Sequence, residues 1–176
     1  MELDAGTFKA MDDSLHYRRV LSFKLASANR YGILPGTEFH ADGVFAAGKF
    51  EVPRLECTAL LPSGEILCID EPFSIPLTTL RQGEYLVCLG LSDKEVTFEK
   101  ENVSYIRPMY SSVILDIDDF EGKDMMPVAK FVVKDGICNI DSGYLPPCFT
   151  IDSFPKFKEF NQRGEELLTS MAEHAN

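Results

Sequence analysis

Apolar positions along this chain change period twice. From residue 7 to about residue 30, Phe8, Met11, Leu15, Leu21, Leu25 and Ala28 recur at three- and four-residue steps with no Pro or Gly between them, which predicts an opening helix. The segment Tyr31-Gly32-Ile33-Leu34-Pro35-Gly36 is expected to end it, Gly32 taking the left-handed cap and Pro35 being unable to continue a ladder. Short runs rich in Val, Ile, Phe, Tyr and Cys follow, each bounded by Gly, Pro, Asp or Asn, at a spacing of about ten residues that signals an antiparallel sandwich or barrel. The predicted strands are 43–50, 54–61, 65–70, 73–77, 85–91, 103–118, 126–134 and 137–140.

Two turns carry a mechanism. Asp135-Gly136 supplies the two positive-φ positions of a type I′ hairpin, and Pro62-Ser63-Gly64 sets a turn that Gly64 can end. The run 103–118 is long for one strand, and Pro108 removes a ladder donor in its middle. It reads as an edge strand with a bulge, or as two strands broken near Arg107-Pro108.

Helical spacing returns after the breaker Tyr144-Leu145-Pro146-Pro147-Cys148. Ser153 can cap, Pro155 suits a first turn, and Phe157, Phe160, Gly164, Leu167, Met171 and Ala175 fall on one stripe. That stripe is a candidate oligomer seam; folding back on the chain's own sheet is the alternative. The fold class is therefore mainly β: an antiparallel β-sandwich (31–150) flanked by an N-terminal helical segment (1–30) and a long C-terminal helix (151–176).

Composition agrees with a packed chain. Of 176 residues, 45% are hydrophobic and 11% aromatic, too apolar for disorder and enough for one core with a helical extension. The formal net charge of -11 argues against nucleic acid or an anionic leaflet as partner, and suits either plain solubility or a docking face for a basic partner. No leader pattern and no long apolar run are present, so neither export nor membrane insertion is expected and the location expected is the cytoplasm. Five cysteines without a C-x-x-C pair suggest reduced thiols. Cys57 and Cys68 would face each other if the Pro62-Ser63-Gly64 turn closes symmetrically, leaving either a bridge or two buried thiols.

Candidate chemistry is sparse. His16, His40 and His174 belong to no metal or catalytic pattern, and no nucleophile elbow or phosphate loop occurs, so neither catalytic residue, cofactor nor metal is assigned. The carboxylates Asp116, Asp118, Asp119, Glu121 and Asp124 miss the EF-hand spacing, with Phe120 at the fifth position and Gly122 at the seventh, and read as a solvated loop. Glu99-Lys100-Glu101 reads as a mixed-sign loop and Lys156 with Lys158 as a small basic spot. The aromatic surplus, including Phe39, Phe45, Phe50, Phe73, Phe98, Phe149 and Phe154, would mark a partner surface wherever it is exposed.

The order of motifs carries a resemblance. Tyr31-Gly32-Ile33-Leu34-Pro35, then Gly48-Lys49-Phe50-Glu51-Val52, then Leu60-Leu61-Pro62-Ser63-Gly64-Glu65 resembles the start of the TssK family, the baseplate proteins of type VI secretion systems. Glu84-Tyr85-Leu86-Val87-Cys88-Leu89, Met126-Pro127-Val128-Ala129-Lys130 and Asp141-Ser142-Gly143-Tyr144-Leu145-Pro146-Pro147-Cys148-Phe149 are similar to later pieces of that family. The resemblance implies a β-sandwich shell domain, like the shoulder of phage receptor-binding proteins, that is trimeric and docks onto the wedge subunits TssF and TssG. Gly32, Pro35, Pro62, Gly64, Pro127, Asp141, Tyr144, Pro146, Pro147 and Cys148 carry the motifs, and the last helix would begin a neck. The absence of Trp departs from the family's opening segment. A shortened chain and a divergent single-domain relative are both compatible with the stop at Asn176. A small ligand- or carbohydrate-binding β-sandwich is the alternative from another class.

Overall fold

A computed structural model of the chain describes residues 4–28, 30–77, 80–100, 103–150, 153 and 155–174. In chain order the elements are α1 (Ala5–Ser27), β1 (Gly32–Ile33), β2 (Val44–Ala46), β3 (Lys49–Val52), β4 (Glu56–Leu60), β5 (Ile66–Asp70) and β6 (Phe73–Pro76). They continue with β7 (Gly83–Lys100), β8 (Val103–Asp116), β9 (Met126–Lys134), β10 (Ile137–Ile140) and α2 (Pro155–His174).

The strands form three antiparallel sheets, ordered β1-β4-β5, β2-β3-β6 and β10-β9-β7-β8. All three contribute to one core. Ile33, Cys57 and Leu67 come from the first, Phe50 and Ile75 from the second, and Val87, Leu89 and Phe131 from the third. Phe131 joins the layers: its ring lies 5.1 Å from Phe45, 6.3 Å from Phe50 and 5.5 Å from Tyr85. With no exposed surface left on it, truncating Phe131 to Ala would cost about 3–5 kcal/mol.

Turn chemistry explains the registers. Asp135 and Gly136 take φ of 52° and 77°, so Ile137 pairs with Lys134 across a two-residue loop as expected. A second such loop, Ala47-Gly48, divides the predicted strand 43–50 into β2 and the start of β3, with Ala46 opposite Lys49. Ala47 accepts the left-handed region there without Asn or Asp to announce it, which is why the sequence pattern read through it.

Around Pro62-Ser63-Gly64, Gly64 donates to the Leu61 carbonyl and Leu61 to that of Glu65, a three-residue loop that adds one residue to the turn. The extra residue shifts the pairing: Thr58, not Cys57, lies opposite Cys68. Cys57 is buried in the core and Cys68 exposed on the opposite face, so the symmetric facing expected for these thiols does not occur, and both are unbridged.

Pro108 leaves β8 intact as one 14-residue strand at the sheet edge. The irregularity falls on its partner, where pairing slips between Leu91 and Glu95. β7 therefore runs on to Lys100, and Glu99-Lys100, expected in a loop, pairs with Ser104 and Val103.

The Asp4 carboxylate caps α1 by accepting from the Thr7 N–H at 2.7 Å, and Ala28 rather than Gly32 takes the left-handed C-cap, at φ 52°. The stripe that predicted the helix stays bare: Phe8, Met11, Leu15 and Leu25 are each more than half exposed. The helix is instead seated on the β4–β5 hairpin by another side. His16 Nε2 lies 2.6 Å from Glu65 Oε1, and Val20 and Lys24 sit over Gly64.

Candidate interaction site

The first and last motifs meet. Ile33 donates to the Pro147 carbonyl at 2.9 Å and Phe149 donates to that of Ile33 at 2.9 Å, so Ile33 bridges Cys148 in parallel. Gly32 lies flat against Pro147, Pro146 is buried and Cys148 half-buried. Tyr144 packs nearby, and burial, with Cys88, Tyr31 and Cys148 around it, raises its phenol well above the ordinary value. Burial pushes the Cys148 thiol up to about 11.

The remaining motif residues lie apart. Pro35 is in an exposed turn, and Pro62 is exposed at a hairpin tip whose Gly64 lies under α1. Pro127 is buried in β9 beside an irregularity in its pairing with β7, beyond the reach of β10, where a missing N–H does no harm. Asp141 holds its own turn, Oδ1 accepting from the Gly143 N–H at 2.9 Å.

Next to this seam the sandwich is open. A cavity of about 410 Å³ lies between the segment 39–43, Val128 and Ala129 of β9, and Ile140 to Pro146. Phe50, Val128 and Pro146 are among its apolar residues, and Asp42 and Asp141 supply carboxylates. A Cβ on Gly43 would overlap the Phe50 ring, so the 39–43 wall rests directly on the core.

One polar cluster was not foreseen. Glu38, His40 and Glu56 bring their ligand-capable atoms within 4.8 Å of one another because His40 and Glu56 exchange backbone hydrogen bonds at 2.8 and 2.9 Å. That bridge between a loop and β4 has no sequence signal; only the Glu38-x-His40 alternation hints at a shared face. Arg54 already supplies a cation, its Nη2 lying 2.8 Å from Glu56 and 3.7 Å from Glu38. An exposed network of this kind contributes no more than about 1 kcal/mol.

Among the described residues the acidic run 116–124 does not converge. Asp124 Oδ1 accepts from the Ser63 N–H at 2.7 Å and Asp116 Oδ1 from that of Asp118 at 3.1 Å, each pinning a turn. His16 serves as the α1 latch, and His174 Nδ1 donates to the Ser170 carbonyl in the last turn of α2.

The proposed seam is divided. Phe157 packs against the core, whereas Leu167 and Met171 are about two-thirds exposed and a Cβ on Gly164 would meet nothing. The side chains of Phe160, Lys156, Lys158 and Phe98, and residues Phe154 and Ala175, lie outside the described set. Ser153, expected as a cap, is buried with its hydroxyl 3.0 Å from that of Thr150. No described helix is long and apolar enough to cross a membrane.

The architecture is similar to that of solved proteins from type VI secretion baseplates. A crystal structure of TssK matches 99% of this chain at TM-score 0.67 and 13% identity. A cryo-electron microscopy structure of the TssK-TssF-TssG baseplate subcomplex matches 88% at TM-score 0.56 and 15% identity, and a structure of the baseplate complex from the type VI secretion system matches 100% at the same score and identity. The fold is TssK-like. The chain spans 46%, 62% and 48% of those three chains. No protein-family model matches the sequence, and no curated protein does.

Proposed function

We propose that this chain is a non-catalytic structural component of a cytoplasmic type VI secretion baseplate that docks onto TssF- and TssG-like wedge subunits. The overlay of 99% of the chain on TssK carries the reading. The meeting of the first and last motifs at Gly32 and Pro147 supports it, since these motifs are the ones that resemble the family. In this reading 31–150 is the shell. Residues 151–176 begin a neck that trimerises along Phe157, Phe160, Gly164, Leu167 and Met171, and 1–30 is the N-terminal helical segment. No cofactor, metal, nucleic acid or membrane insertion enters it.

The ligand-binding alternative draws less support. Carbohydrate recognition needs ring faces open to the ligand. Of the three aromatic residues at the cavity, Phe39 and Phe50 are 9% and 0% exposed and belong to the core, and Tyr144 is half-buried.

Co-expression with the TssF- and TssG-like subunits of the same organism, followed by affinity capture and light scattering, tests the proposal. Co-elution of the chain with them, as a trimer, is the expected result. A monomer that captures neither subunit overturns it.

A further inference from the structure

The outer edge of β10 is bare in a way that invites a strand. Ile137 faces Lys134 across a two-residue turn, and the Asp141 N–H donates to the Lys130 carbonyl at 2.9 Å. Antiparallel pairs alternate between exchanging both bonds and exchanging none. Ile137, Asn139 and Asp141 are therefore the bonded positions, and the N–H and C=O groups of Cys138 and Ile140 point away from β9. Among the described residues no strand pairs with that side. Ile137-Cys138-Asn139-Ile140 carries none of the usual edge guards, neither Lys, Pro nor bulge.

The side chains on this edge lead into the cavity. Cys138 packs against the core, and Ile140, two residues on and so on the same face, is 41% exposed because it forms part of the cavity wall. Asp42 makes no polar contact among the described residues, and Asp141 accepts from the Gly143 N–H through Oδ1. Lys130 feels the Asp141 charge, but its ammonium is held by Glu84 at 2.8 Å. An apolar wall below carboxylates matches a basic side chain, whose aliphatic stem is buried while its charged head reaches the acids.

We infer that the β10 edge and the adjoining cavity bind an extended, cationic segment of a partner protein. The segment adds to the sheet as a strand beside Cys138 and Ile140 and sends a Lys or Arg side chain toward Asp42 and Asp141. Backbone amides account for affinity, and the cavity for selecting the side chain. The chain's net charge of -11 attracts such a segment and repels an acidic one. This deepens the docking reading and rests on it only in taking the partner to be a protein.

The test is an NMR titration of the isotope-labelled chain with a blocked peptide of alternating lysine and valine, against the same peptide with glutamate for lysine. Amide shifts are expected at Asp42 and over 138–142 with the first peptide only. Ile140→Pro removes an outward N–H and no bond to β9, and is expected to weaken binding about tenfold. Asp42→Lys is expected to weaken it similarly, with melting curves showing that both variants fold. No shift at these residues, equal response to the glutamate peptide, or full binding by Ile140→Pro overturns the inference. The co-purification test reads the baseplate proposal separately, so either can fail alone.

Discussion

A Cβ placed on Gly32 would stand 2.5 Å from the Pro147 carbonyl oxygen and 2.7 Å from the Cys148 nitrogen. These are backbone atoms held by two hydrogen bonds through Ile33, so they cannot swing aside. Gly32 also has φ of 132°, which side chains rarely adopt. The contact ties the segment after α1 to the segment before α2, two parts of the chain more than a hundred residues apart.

Replacing Gly32 with Ala is therefore expected to cost about 2–4 kcal/mol, lowering the melting temperature by roughly 5–15 °C. Gly36 is also at positive φ, but a Cβ there meets nothing within 4 Å. Gly36→Ala should cost only about 1 kcal/mol. Thermal melts of both variants by circular dichroism check this; an equal loss would refute the role given to Pro147.

The offset pairing of β4 with β5 predicts how the thiols react. Cys68, on the exposed face, should label with a maleimide in the folded protein, whereas Cys57 and Cys88, both buried, should label only on unfolding. Mass spectrometry of peptides after brief labelling reads this. A Cys57–Cys68 bridge in oxidised protein would contradict the register.

The same burial makes stability fall in alkali. Loss of solvent, with Cys68 a smaller contribution, pushes the Cys57 thiol from 9.0 to about 12, and burial moves that of Cys88 equally far. The unfolded chain releases these protons near pH 9 while the folded chain keeps them to about 12. Stability is full below pH 9 and declines as pH rises through that window, by up to about 1.4 kcal/mol per pH unit for each thiol. Urea titrations from pH 8 to 11 should show the decline, and the Cys57→Ala, Cys88→Ala double variant should lessen it, leaving the smaller part that Cys148 and Tyr144 contribute.

Gly64 determines how α1 is seated. A Cβ there would lie 2.8 Å from Lys24 Cγ and 3.1 Å from the Val20 carbonyl oxygen, at φ of 92°. Gly64→Ala is expected to destabilise the β4–β5 turn by about 1–2 kcal/mol and to lift the helix. His16→Ala removes two exposed contacts, to Glu65 and to Arg19, and should cost no more than about 1 kcal/mol. Hydrogen exchange across α1 should rise strongly for the first variant and slightly for the second.

Legibility followed the range of the physics. β9 and β10 appear with the bounds that alternation and Asp135-Gly136 imply, because both signals are local. The predicted strand 85–91 ends where its apolar run gives way to Ser92-Asp93-Lys94, and pairing with β8 carries β7 past it. α1 was legible as a helix, but not its bare stripe, since periodicity says which residues share a side and nothing about what covers them. Of the candidate site, the motif residues could be named from the sequence. The cavity and the Glu38-His40-Glu56 cluster could not, since each joins residues that only tertiary pairing brings together.

Beyond Leu91 the ribbon of β7 and β8 has lost its third strand, since β9 pairs no further than Leu89. Two strands alone hold together marginally in water. This part of the molecule should accordingly trade its amide hydrogens with water sooner than the three-stranded stretch below it, where Tyr110 still donates to Glu71.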